Sequence, residues 1–141
     1  MSVLLTILTV VTLLVGGLIA LRWYVSTKQV RSEGILNIFK AFQDVQLAVA
    51  HQSNIDLNEL GDFVKCLAQK DALFGNDGAL LGYIEEYYKR CAELNRKNER
   101  IRITQTREEL EILMNQRNQL VLWFRGQDRI IRHHFGRYIA V

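Results

Sequence analysis

Apolar residues fill the chain without interruption from Ser2 to Leu21, and no charge or proline breaks the run. About 20 residues is the length a helix needs to cross a bilayer. Beyond it the pattern changes. Apolar positions recur every three or four residues, strand-type alternation of Val, Ile and Thr is absent, and there is no proline anywhere. That periodicity predicts an all-α protein: a single N-terminal transmembrane helix followed by a small antiparallel helical bundle of about four helices.

The first bundle helix is expected over about Glu33 to His51, with Ile35, Ile38, Phe42, Val45 and Val49 on one face. Only Gly34 interrupts the chain between the apolar run and this helix, so the two can form one long rod. The second is expected from about Asp56 to Phe74, burying Leu57, Leu60, Val64, Leu67 and Phe74, with Asn54 or Asp56 as its N-cap. Gly75 to Gly78 form a turn of residues that tolerate positive φ.

The third helix spans about Ala79 to Arg102. Leu80, Ile84, Tyr87, Cys91, Leu94, Asn98 and Ile101 keep a four-three alternation, the seam of a coiled-coil-like pairing. The fourth starts near Thr106, where Thr106 and Glu109 match a capping box. Leu110, Leu113, Leu120, Phe124, Ile131, Phe135 and Tyr138 carry its stripe, with Gly126 and Gly136 as weak points. Two domains follow: residues 1–31 as transmembrane signal-anchor and juxtamembrane segment, and residues 32–141 as the helical bundle.

Flanking charge gives the first segment a direction. No Lys or Arg precedes it, whereas Arg22, Lys28 and Arg31 follow. The positive-inside rule places the N-terminus outside and the bundle in the cytoplasm, with Trp23 and Tyr24 at the interface. A cleaved signal peptide fits poorly: a basic n-region is missing, the apolar part is too long, and Leu18 occupies a position that cleavage after Ala20 would need small. Within the run, Ser2, Thr6, Thr9, Gly16 and Ala20 fall on one stripe of small or hydroxyl-bearing residues, which lets a second membrane helix approach closely.

Composition adds little chemistry. Eighteen basic and fifteen acidic side chains leave a net charge of +3, a modest footprint for nucleic acid. Cys66 and Cys91 are too far apart for a CxxC pair and have no histidine at zinc-finger spacing, so both are expected as small core residues. Glu85 and Glu86 diverge on a helix, and Glu108, Glu109 and Glu111 suit a helix's first turn through the dipole. No phosphate loop or helical metal motif occurs, so no metal or cofactor is expected.

The tail is basic. Arg117, Arg125, Arg129, Arg132 and Arg137 stand against only Asp128, with His133 and His134 among them. Such a patch can lie solvated, meet anionic lipid, or dock an acidic surface. The acidic stretch Asp56, Glu59, Asp62, Asp71 and Asp77 is one candidate for that surface. The spacing of Arg129 and His134, four residues between them, resembles the active motif of HEPN-type helical ribonucleases, in which two copies meet across a dimer, an Arg stabilises phosphate charge and a His serves in proton transfer. The resemblance covers six residues, and Ile130 stands where those families carry a polar residue. The expected function is non-enzymatic: a single-pass membrane-anchored interaction or scaffold module that assembles with itself or holds a membrane-protein partner. The alternative is a membrane-tethered HEPN-like ribonuclease or toxin-type effector using Arg129 and His134.

Overall fold

A computed structural model describes residues 2–140 and shows an all-α helical bundle. Its helices are α1 (Ser2–Gln52), α2 (Leu57–Leu67), α3 (Lys70–Phe74), α4 (Gly78–Ile103), α5 (Arg107–Arg125) and α6 (Gln127–Phe135). The chain separates into two compact units, the first ending at Glu33 and the second beginning at Gly34. The first unit is the N-terminal part of α1 alone, and every described side chain in it is exposed. The second holds the rest of α1 together with α2 to α6.

The core of the second unit is aromatic. Phe42 is fully buried and touches the rings of Tyr87 at 4.5 Å, Phe63 at 5.1 Å and Phe135 at 5.5 Å between centroids. Tilted and edge-on arrangements of this kind add to the burial of apolar area. Ile35, Ile38, Val45 and Val49 continue the stripe on α1, and Leu80, Ile84, Tyr87, Cys91 and Leu94 continue it on α4, as their spacing predicts. The α4 and α5 helices form the most extensive pairing, linked by Arg100 to Glu109 at 3.3 Å and Lys97 to Gln116 at 2.8 Å.

The second expected helix is two helices. In a continuous helix Leu67 and Leu73, six residues apart, would point roughly 120° from each other. The break at Ala68 and Gln69 lets both bury, and turns Leu73 over Gly34. A Cβ on Gly34 would meet Leu73 Cδ1 at 3.1 Å, so a bare Cα suits that approach. The inner face of α2 is also rotated from the expected one. Phe63 is buried, while Leu57 and Val64 are 70% and 44% exposed. Leu57 to Leu67 is apolar on several sides, and turning the largest side chain inward buries more area.

Capping differs in detail. Asp56 accepts from Glu59 N at 2.7 Å and Glu59 accepts from Asp56 N at 3.0 Å, so the capping box lies here. Thr106 precedes α5 without a side-chain bond to its backbone. Glu109 faces Arg100 instead, leaving Thr106 Oγ1 a 3.3 Å bond to the Glu109 carboxylate. The turn before α4 needs no positive φ: no glycine adopts one, and Asp77 Oδ1 caps α4 through Leu80 N at 3.0 Å. Ser53 alone among the described non-glycine residues has positive φ, 52°. Its carbonyl accepts from Asn98, while buried Asn95 donates to Ile55 O at 2.8 Å, so two α4 asparagines hold the α1–α2 loop. As its glycine suggests, the fourth helix breaks at Gly126 to give α5 and α6.

Candidate interaction surfaces

The N-terminal part of α1 is long and apolar enough to cross a membrane, and the most apolar stretch is entirely unburied within the protein. Thr6 and Thr9, with Thr12, donate to their own backbone at 2.8 Å, to Ser2, Leu5 and Leu8 carbonyls respectively. Those hydroxyls are thereby satisfied without water, as an apolar medium requires. Ser2, Thr6, Thr9, Gly16 and Ala20 are all exposed, and a Cβ on Gly16 would meet nothing within 4 Å.

The five tail arginines do not form one patch. Arg117 stands half-buried in the α5 stripe that faces α4, and its Nε is buried without a hydrogen-bond partner. Arg137 follows α6 and lines a cavity of about 90 Å³ with Asp77, Ala79, His133 and His134. Arg125 ends α5, and Arg129 and Arg132, three apart, are neighbours on α6; all three are exposed. None of these three forms an ion pair among the described residues.

Beside Arg125 runs a groove of about 420 Å³ between α1 and α5–α6, walled on α1 by Gln43, Leu47 and Ala50. Its floor is pinned by Gln46. That amide donates to Phe124 O at 2.8 Å and Asp128 Oδ1 at 3.0 Å, and its oxygen accepts from Tyr87 at 2.7 Å. A second tie lies on the other flank, where Tyr83 donates to Gln127 at 2.8 Å and Gln127 donates to Trp123 O at 3.1 Å. Gln46 and Gln127 escape a sequence reading, since polar residues at core edges look like surface. Two further concavities exist: an apolar groove of about 380 Å³ between α2–α3 and α4, and one of about 200 Å³ at Asp44, Asp62 and Phe63.

Of the acidic stretch, only Asp77 meets the tail. It accepts from Tyr138 at 2.8 Å, whereas Asp56 and Glu59 serve the capping box and Asp71 faces Lys70 at 3.1 Å. The Leu80 amide and the Tyr138 hydroxyl hold the Asp77 carboxyl below the usual carboxylate range. His134 stacks on Tyr83 at 4.7 Å, and burial, then the neighbouring His133, pushes its pKa down. Arg129 is exposed, and five residues turn a helix by roughly 140°, so α6 points Arg129 and His134 apart within one chain.

Burial pushes the hydroxyls of Tyr83 and Tyr87 and the thiol of Cys91 upward, so these groups are neutral donors near pH 7. Cys66 is exposed, not in the core, because the rotation of α2 that buries Phe63 turns it outward. Among the described residues no cluster of three His, Cys, Asp or Glu side chains is placed to hold a metal ion. No protein-family model, no curated protein and no solved structure matches this chain.

Proposed function

We propose that this protein is a single-pass membrane-anchored helical interaction module, with its N-terminus outside and the bundle at the inner membrane face. There it assembles with copies of itself or holds a protein partner. The observation that carries this reading is the bare apolar surface of α1. Val3, Leu4, Leu5, Leu8 and Leu13 are each at least 66% exposed, and Ile7, Val10, Val11, Leu14 and Val15 between them are at least half exposed. In water this would be an apolar patch far larger than monomeric soluble proteins carry, while in lipid it needs no cover. Arg22, Lys28 and Arg31 after the apolar run support the orientation. The bundle supports the interaction part by its grooved faces and its unpaired arginines.

Two measurements test the reading. Alkaline washing should leave the wild type in the membrane pellet, while Val11→Arg should release it, since a central Arg costs about 2.5–3.5 kcal/mol on insertion. Crosslinking in native membranes should then trap a second copy or a defined partner. A protein that washes off, or one that stays strictly monomeric with nothing captured, overturns the proposal.

A further inference from the structure

The outer face of α1 in the bundle lies between two hollows of opposite charge. At roughly 100° per residue, Leu36, Lys40 and Leu47 fall within about 40° of one another on that face. All three are exposed, Leu47 by 57%. On one side, Asp44 joins Glu59 and Asp62 around the hollow of about 200 Å³ against α2, whose lining holds no cation. On the other side, Gln43 and Ala50 wall the groove of about 420 Å³ against α5–α6, where Arg125 stands. Arg132 follows one turn after Asp128, on the same side of α6. Asp128, the one carboxylate lining that groove, already accepts from Gln46. Asp44, Asp62, Arg125 and Arg132 are exposed, and none of them forms an ion pair among the described residues.

We propose that this face is a self-association surface whose occupant is a second copy of the chain, with the two α1 helices parallel. The symmetry of a two-fold contact decides the direction. An axis running along α1 brings each copy's α2 flank against the other's α5–α6 flank, so that residue i meets j and j meets i. Acid then faces arginine twice, with Asp44 and Asp62 of each copy turned toward Arg125 and Arg132 of the other. An axis across α1 makes the helices antiparallel and sets like flank on like flank, which like charges oppose. Between the flanks, Leu36, Lys40, Gln43 and Leu47 step by four, three and four, the spacing of a coiled-coil seam. A lone Lys in such a seam costs stability and fixes register and strand number. An unrelated partner would have to supply both charge patterns at once, whereas a second copy already carries them. The parallel direction is also the one open to two copies anchored in the same orientation in one membrane, and in that respect the inference rests on the proposed function.

The test uses the full-length protein in native membranes, with Cys66→Ser to remove the exposed native thiol. Leu47→Cys lies beside the two-fold axis, whereas Ile112→Cys, on α5, is equally exposed and lines neither hollow. Oxidation by copper phenanthroline should join Leu47→Cys copies as a disulfide dimer and leave Ile112→Cys monomeric. Adding Asp44→Lys, or Arg125→Asp, should each cut the dimer yield about tenfold. The two charge variants expressed together, with different tags, should restore the dimer between tags. In the mixed pair both contacts join opposite charges, whereas each variant alone sets like on like. All substituted positions are exposed, so folding tolerates the changes, and unchanged helix content by circular dichroism checks this. Equal yields at the two cysteines overturn the inference, as does a mixed pair no better than either variant alone. A Leu47→Cys dimer that ignores both charge variants overturns it as well. Alkaline washing separates this surface from the anchor. Protein that stays in the pellet without a Leu47→Cys dimer sinks the surface and leaves the anchor standing. Mixed-pair rescue in protein that washes off keeps the surface and sinks the anchor.

Discussion

The phenol of Tyr87 donates a 2.7 Å hydrogen bond to the side chain of Gln46, 41 positions away in the chain. The same amide donates to the Phe124 carbonyl and to Asp128, so one side chain joins α1, α4 and the α5–α6 junction. Gln46 is only half-buried, but Tyr87 is fully enclosed, and the bond answers the one polar atom of that ring. Tyr87→Phe should lower stability by about 1–2 kcal/mol, since the amide oxygen loses its donor while packing stays intact. Gln46→Leu should cost more, because it strands the Tyr87 hydroxyl and the Phe124 carbonyl together. Urea unfolding of the full-length protein in micelles checks both. A Gln46→Leu protein as stable as wild type would show that water replaces the amide.

Phe42 sets the scale for the apolar core. It is fully buried and in ring contact with residues of α2, α4 and α6. Phe42→Ala should cost about 3–5 kcal/mol, enough to unfold a marginal bundle. Leu57→Ala should be close to neutral, because that leucine is 70% exposed. The pair distinguishes the observed rotation of α2 from the face its spacing suggests. With Leu57 inside, both substitutions would be severe.

Long, single-faced segments were legible from their periodicity. The stripes of α1 and α4 bury most of the positions their spacing names, from Ile35 to Val49 and from Leu80 to Leu94, while Asn98 and Ile101 at the end of the α4 seam are only half-buried. The α2 segment was not, since Leu57, Leu60, Phe63, Val64 and Leu67 allow more than one face, and tertiary packing chose among them. The break at Ala68 has no Gly or Pro to announce it. The candidate surfaces were partly legible. The basic tail is visible as composition, but its division into a seam residue (Arg117), three exposed arginines and a cavity residue (Arg137) depends on how α5 and α6 pack. The groove beside Arg125 arises only when α1 lies against residues some eighty positions later, as the Gln46–Asp128 bond records.

The two cysteines should differ sharply toward a maleimide. Cys66 is exposed, and Cys91 is fully buried with its thiol pushed upward by burial. Thiolate is the reacting form, so Cys91 is protected by both access and protonation. Native protein should take up one label, at Cys66, and the second only on unfolding. The same residue reports orientation. A membrane-impermeant maleimide should reach Cys66 only after the membrane is opened, and labelling in intact cells would place the bundle outside.

The cluster at the end of α6 should make stability fall on acidification. His134 has a folded pKa below its ordinary 6.5, so the unfolded chain binds the proton more readily. Stability then falls as pH drops from about 6.5 toward the folded pKa. Asp77 is also held below its ordinary 3.8, so its contribution is present above that value and lost as pH falls through the folded pKa. The two effects share a sign. His134→Gln should remove the first and leave the second. His51 and His133 are present in both proteins, so the difference between wild type and variant isolates His134. Asp77→Asn should enlarge the first loss, because the carboxylate favours protonated His134 and partly offsets burial. Urea midpoints measured from pH 7.5 to pH 3 for the three proteins check this. A wild-type curve flat above pH 5, or one parallel to His134→Gln throughout, would show that stacking on Tyr83 does not oppose the charged imidazole.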